Sequence, residues 1–157
     1  MDPENTLYLD LAGGRAVIQL RPDLAPGHVA RIKELARSGF YDGLNFHRVI
    51  EGFMAQGGDP RGDGTGGSGK KLKAEFSREP HVRGTCSMAR AASPDSADSQ
   101  FFICFAAAPF LDGQYTVWGQ VVEGMEHVDA IKRGEGRNGE VRNPDKIVKL
   151  QVAADAA

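Results

Sequence analysis

The chain has 157 residues, with 19 Lys and Arg set against 21 Asp and Glu for a formal charge of −2. That length suits one domain whose core needs no disulfide or metal staple, and 41% apolar with 25% charged residues is a globular composition. The near-neutral balance argues against a general nucleic-acid binder or a membrane-surface binder.

The start, Met1-Asp2-Pro3-Glu4-Asn5, lacks the basic and apolar regions of a signal peptide. No run approaches the roughly 18 apolar residues of a membrane span. A cytoplasmic protein is expected, with 1–157 as a single domain and frayed ends at 1–5 and 153–157.

Leu7, Leu9 and Leu11 alternate with polar neighbours, and Ala16 to Leu20 follow after Gly13-Gly14. Strand, Gly-Gly turn, strand predicts a hairpin. Val29, Ile32, Leu35 and Ala36 then recur at helical spacing behind Pro26, and Gly39 follows the last of them. Pro in the first turn and Gly just past the end predict an amphipathic helix of roughly three turns. Short strands are predicted at 46–50 and 53–56. From Gly57 to Gly69 the chain is dense in glycine and nearly free of apolar groups, the composition of a long functional loop. Further strands are predicted at 86–89, 101–105, 116–122 and 147–152. A second helix through Met125, Val128 and Ile131 is expected to end at Gly134. About eight strands and two helices in one domain favour a barrel or a sandwich.

The glycine loop contains accidental matches to nucleotide motifs. Gly62 to Gly67 satisfy G-x-G-x-x-G, but no helix pattern follows for the phosphates. Gly64 to Lys70 read G-x-x-x-x-G-K, but Lys71 stands where magnesium binding needs Ser or Thr. Arg61-Gly62-Asp63 matters as an adhesion tripeptide only outside the cell. A turn-dense excursion is the preferred reading.

Two segments mix apolar and polar groups densely: Phe46 to Asp59, and Gly84 to Tyr115. Strand alternation places Phe46, Arg48 and Ile50 on one side, with His47 and Val49 on the other. An Arg on such a face is either a paired structural charge or a site residue. Cys86 and Cys104 sit in apolar runs without a neighbouring His or Lys to make a thiolate, so both are expected as reduced core thiols. The four histidines have no metal-ligand spacing, and no Ser lies in a nucleophile elbow. Chemistry without a covalent intermediate, metal or cofactor is expected.

The run Phe46-His47-Arg48-Val49-Ile50-x-Gly52-Phe53-Met54-x-Gln56-Gly57-Gly58-Asp59 resembles the signature of the cyclophilin peptidyl-prolyl isomerases. Ser99-Gln100-Phe101-Phe102-Ile103-Cys104 and Leu111-Asp112-Gly113 resemble its second signature, in the expected order. The similarity runs from about Leu7 to Val152. It implies a mainly β fold, a closed eight-stranded antiparallel barrel capped by two α-helices, and catalysis of cis–trans rotation at X-Pro bonds of unfolded or flexible proteins. Arg48 falls on the catalytic position. Phe53, Met54, Phe102 and Leu111 fall in the pocket for the proline ring, and Gln56 falls where the family bonds the substrate backbone. Ala89, Arg90, Ala91 and Gln100 line the adjoining groove, Gly64 borders it, and His47 is carried along as a substrate-binding position.

Three departures matter. Phe110 replaces a Trp of animal relatives and lacks the indole N–H, so cyclosporin binding is expected to be weak. Tyr115 replaces a common His and does not titrate near neutrality. Arg90 replaces Asn, adds a cation and is expected to favour acidic flanking residues. Trp118 lies on a strand position and is expected in the core. No cofactor and a monomer are expected. A proline-peptide binding or chaperone module with incidental turnover is the alternative, since every pocket residue serves both.

Overall fold

A computed structural model describes residues 2–156. The predicted first hairpin forms from β1 (Thr6–Leu11) and β2 (Gly14–Leu20), which pair from Thr6 with Gln19 to Leu11 with Gly14 across a two-residue turn. Helix α1 (Pro26–Arg37) follows, burying His28, Val29, Ile32, Leu35 and Ala36. Its start has no side-chain cap of its own. The carboxylate of Glu75 supplies one from afar, accepting from the Gly27 and His28 amides at 3.1 and 2.7 Å, where a negative charge also suits the helix dipole. At the other end Gly39 takes φ +77°, its N–H reaches the Ala36 carbonyl and Phe40 N–H reaches that of Leu35. This is a Schellman motif, which needs the left-handed conformation that glycine adopts without cost.

Six more strands follow: β3 (Arg48–Ile50), β4 (Met54–Gly57), β5 (Thr85–Met88), β6 (Phe101–Cys104), β7 (Val117–Glu123) and β8 (Lys149–Val152). All predicted strands are present. They form one sheet in the order β3-β4-β6-β5-β7-β2-β1-β8, with every neighbouring pair antiparallel. Helix α1 packs against β8, and the short α2 (Met125–Asp129) packs against β2.

The expected closed barrel is corrected to a curled half-barrel, because no ladder joins edge strands β3 and β8. Between the two edges there is an isolated bridge, Asn45 to Lys146, with three backbone bonds from the residues beside it. The edges are short, three and four residues. The chain leading into β8 carries Pro144, which has no N–H to donate, next to Asn143 at φ +50°.

Gly134 does not end α2. The helix stops at Asp129, capped by Ala130. Gly134 instead donates to the Val49 carbonyl (2.8 Å), and a Cβ there would lie 1.9 Å from the Gly139 carbonyl oxygen. Close backbone approach, not helix termination, requires glycine here. Of the segments expected to fray, residues 1 and 157 lie outside the described residues and the rest are tethered. Pro3–Asn5 and Ala153–Asp155 form 3-10 turns, and Arg37 of α1 pairs with both Glu4 and Asp155.

The concave side of the sheet holds the main core, including Leu7, Leu9, Ile18, Phe101, Ile103 and Trp118. Trp118 is fully buried as expected, its ring edge-on to Phe101 at 5.7 Å. The opposite face of β4 and β6 carries a second cluster: Met54, Phe102, Cys104, Ala108 and Leu111. Strict alternation makes this possible, since Met54 and Gln56 point one way while Ala55 points the other. The cysteines divide in the same manner, Cys86 into the main core and Cys104 into the second cluster. Both are buried free thiols. The alternation predicted across 46–50 fails at its first member. Phe46 is buried in the main core with Val49, and Arg48 is not its face-mate, because the strand begins only at Arg48.

Candidate functional site

The second cluster stays open at its outer side. A cavity of about 110 Å³ is lined by Phe53, Met54, Phe102, Leu111 and Tyr115, with Arg48, Gln56, Ala89 and Arg90 around them. Met54, Phe102 and Leu111 form a buried apolar wall, and Phe53, Ala89 and Tyr115 are partly exposed.

Arg48 enters from the edge strand, directly opposite Gln56 in the β3–β4 register. Its Nη1 donates to Gln56 Oε1 (3.1 Å), and its Nε donates to the Asn138 carbonyl (2.9 Å). Gln56 Nε2 donates to Gln100 Oε1 (3.0 Å), and Gln100 Nε2 donates to the carbonyls of Gly64 and Gly66. This polar chain fixes the guanidinium plane without a carboxylate partner. Among the described residues the charge is not neutralised by an ion pair, and the two bonds hold it from swinging.

The glycine loop is built around Asp59. This carboxylate is buried and accepts from the amides of Arg61 (2.8 Å), Asp63 (3.2 Å) and Gly64 (2.6 Å). The backbone N–H groups that would cradle a phosphate in a nucleotide loop are turned onto an internal anion. Gly66 lies so close that a Cβ there would be 2.1 Å from Asp59 Oδ1.

Nine of the predicted site residues line the apolar cavity: Arg48, Phe53, Met54, Gln56, Ala89, Arg90, Phe102, Leu111 and Tyr115. Gly64, Ala91 and Gln100 line an adjoining cavity of about 320 Å³. His47 does not reach the apolar cavity. It lines a third one, of about 480 Å³, on the far side of Arg48, and burial holds its imidazole below the usual histidine range. Phe110 lines none of the three. It is 64% exposed at the lip, its ring 5.4 Å from that of Phe53. Arg90 is a strut: Nε donates to the Gln114 carbonyl and Nη1 to those of Ala91 and Ala92, with the guanidinium 4.7 Å above the Tyr115 ring.

One group beneath the cavity has no sequence signal. His81 is buried and stacks on Phe102 at 6.1 Å, while Tyr115 meets Phe102 edge-on at 5.8 Å. The His81 Nδ1 faces Asp112 Oδ1 (3.1 Å), and Nε2 faces Ser87 Oγ (2.9 Å). Burial lowers the His81 pKa against the opposing pull of Asp112, while the His81 amide and ring hold the Asp112 carboxyl below its usual range. His81 is therefore neutral near pH 7. Only its distant partners mark it, so local spacing could not find it.

The two thiols are chemically quiet, since burial pushes Cys104 up to about 12 and Cys86 well above its ordinary value. Among the described residues no three His, Cys, Asp or Glu side chains converge to hold a metal, and no helix is long and apolar enough to cross a membrane. The arrangement can hold a small apolar ring and present a fixed cationic donor beside it. It has no activated nucleophile.

Residues 6–152 match the family model described as cyclophilin type peptidyl-prolyl cis-trans isomerase/CLD. The chain is 58% identical to a probable peptidyl-prolyl cis-trans isomerase of Brucella suis biovar 1, over 98% of this chain and 85% of that protein. It is 46% identical to peptidyl-prolyl cis-trans isomerase B of Bacillus subtilis, over 78% of this chain and 87% of that one. Among solved structures it resembles a cyclophilin from Hirschia baltica, with TM-score 0.89 and 29% identity over 100% of this chain and 77% of that one. A Cryptosporidium parvum cyclophilin-type isomerase, solved in the presence of the dipeptide Ala-Pro, gives TM-score 0.87 and 28% identity over 94% and 98%.

Proposed function

The chain belongs to the cyclophilin-type peptidyl-prolyl cis-trans isomerase family, and from that membership we propose that it rotates X-Pro bonds with the proline ring seated in the apolar cavity beside Arg48. The peptide C–N bond resists rotation by about 18–20 kcal/mol because of its partial double-bond character. In the twisted transition state that character is lost, and the prolyl nitrogen gains a lone pair. Arg48 donates a hydrogen bond to that nitrogen. The planar ground state offers no such acceptor, so the contact favours the transition state selectively.

Magnitudes show what one contact can carry. Bringing rotation from tens of seconds to milliseconds is about 10⁴-fold, or about 5–6 kcal/mol. A single fixed donor of this kind is worth about 10²–10³-fold. The rest comes from gripping the ring between Met54, Phe102 and Leu111 while the preceding residue turns. Gln56 acts mainly as a positioning residue. Its carbonyl oxygen accepts from Arg48 and one of its two amide hydrogens goes to Gln100, which leaves the second hydrogen and a carbonyl lone pair for the substrate backbone. No bond between heavy atoms breaks, which matches a site whose thiols stay protonated.

One conjunction supports this reading above all: a guanidinium fixed by neutral partners at the edge of a ring-sized apolar cavity. The test is turnover of an Ala-Pro peptide in a protease-coupled assay. Wild type accelerates interconversion, and Arg48→Ala lowers kcat/KM by about 10²–10³-fold. A drop below tenfold would overturn the role given to Arg48. The alternative, a proline-peptide binding or chaperone module, requires the biological role to survive in Arg48→Ala.

A further inference from the structure

The apolar cavity is the middle of a longer groove, because Gln56 lines it and both neighbouring cavities. The two flanks differ in charge. One carries Lys71 and Arg90, the other Asp63 and Glu140. Resting on the isomerase reading, we infer that this groove selects substrates by charge order, taking an acidic residue on the Lys71 and Arg90 flank of the prolyl bond and a basic residue on the Asp63 and Glu140 flank.

The charges on each flank form no ion pair among the described residues. Lys71 is exposed and forms no ion pair among the described residues. The Arg90 donors end on three neutral carbonyls, which orient the charge without cancelling it. Asp98 also lines this flank, but its carboxylate is turned inward, accepting from the Ser68 amide and hydroxyl and from the Gly69 amide. Lys70 and Lys73 add exposed positive charge on the adjoining chain. On the other flank Asp63 accepts from the amide and hydroxyl of Thr65, and these bonds, with a smaller pull from Arg61, hold its carboxyl below the usual range without an ion pair among the described residues. Glu140 is exposed, and its side chain has no ion-pair partner among the described residues. Arg48 sits on the boundary of that flank, but its guanidinium faces Gln56 and Asn138.

A peptide spanning the groove therefore meets a field of opposite sign on either side of its proline. Exposed charges are worth little singly and are screened beyond roughly a Debye length. Two complementary contacts in one order, against two repulsive ones in the other, add up to a preference of about five- to tenfold at low salt.

The experiment uses three proline peptides and exchange spectroscopy. Two have the same composition, one with Glu before the X-Pro pair and Lys after it, the other reversed; the third has Ala at both positions. The inference predicts that one order exceeds the other about fivefold or more in kcat/KM at low salt, with the Ala peptide between them, and that the ratio collapses at high salt. Lys71→Glu and Glu140→Lys each reduce the ratio, and the pair together bring it close to one, because Arg90 and Asp63 are then each offset by the introduced charge. Neither side chain makes an ion pair among the described residues, so neither change removes a tether. Equal rates for the two orders, while the Ala peptide turns over, overturn the inference and leave the isomerase reading standing. A ratio unmoved by both substitutions also overturns it. No turnover of any of the three peptides overturns the isomerase reading as well.

Discussion

The two faces of β4 and β6 are built from similar side chains and end in different states. On the concave face Ala55, Phe101 and Ile103 meet Trp118 and the rest of the main core, and all are buried. On the convex face Met54, Phe102 and Cys104 meet Leu111 and Ala108, and a cavity remains with Arg48 and Gln56 beside it. Adjacent residues, Phe101 and Phe102, belong to opposite faces. The difference lies in what covers them. The concave face is closed by the curl of the sheet together with α1 and α2, which send Val29, Ile32, Leu35 and Val128 into the core, whereas the convex face is covered by short loops and the 3-10 turn at Pro109–Leu111. An incompletely covered apolar face makes a binding pocket without any unusual residue type.

Substitutions at 101 and 48 should separate the faces most sharply. Phe101→Ala leaves a void in a closed core and should cost about 3–5 kcal/mol of stability, read as the denaturant midpoint with unchanged slope. Arg48→Ala should leave that midpoint within about 0.5 kcal/mol while lowering turnover. A large stability loss from Arg48→Ala would show that the convex face is structural after all.

The buried histidines give the next effect. His28, His47 and His81 all have pKa values lowered by burial. The unfolded chain, with ordinary values near 6.5, then binds more protons than the folded one. Stability is fully present above about pH 6.5 and is lost as pH falls through the lowered folded values. Denaturation midpoints measured from pH 7.5 down to 5 should fall, and a flat profile would contradict the neutral state assigned to His81. Because His81 underlies Phe102, turnover should weaken over the same range.

The smallest effect belongs to the lip. Phe110→Trp adds an indole N–H at an exposed position and should tighten cyclosporin several-fold, about one hydrogen bond's worth, without changing stability. Unchanged affinity in a titration would contradict the weakening of cyclosporin binding expected from Phe110.

Local pattern carried the elements far. Alternation and glycine punctuation placed the strands and α1, because those signals act over a few residues. Closure of the sheet was not legible. It depends on whether the edges at Arg48–Ile50 and Lys149–Val152 can pair, a question decided by irregular segments around Asn45 and Pro144. Gly134 was misplaced because a close approach to Gly139 and a helix end demand the same residue. The nine cavity residues were expected from family resemblance, not from periodicity. His81 was missed because its partners, Ser87 and Asp112, lie on different segments of the chain.

The central claim is that Arg48 acts on the twisted bond and not on the bound ground state. The most direct test measures affinity and on-enzyme interconversion separately for an Ala-Pro peptide, by NMR at saturating protein, in wild type and Arg48→Ala. The account predicts affinity within about threefold and interconversion slower by about 10²–10³-fold. Weakened affinity with unchanged interconversion on the enzyme would contradict it.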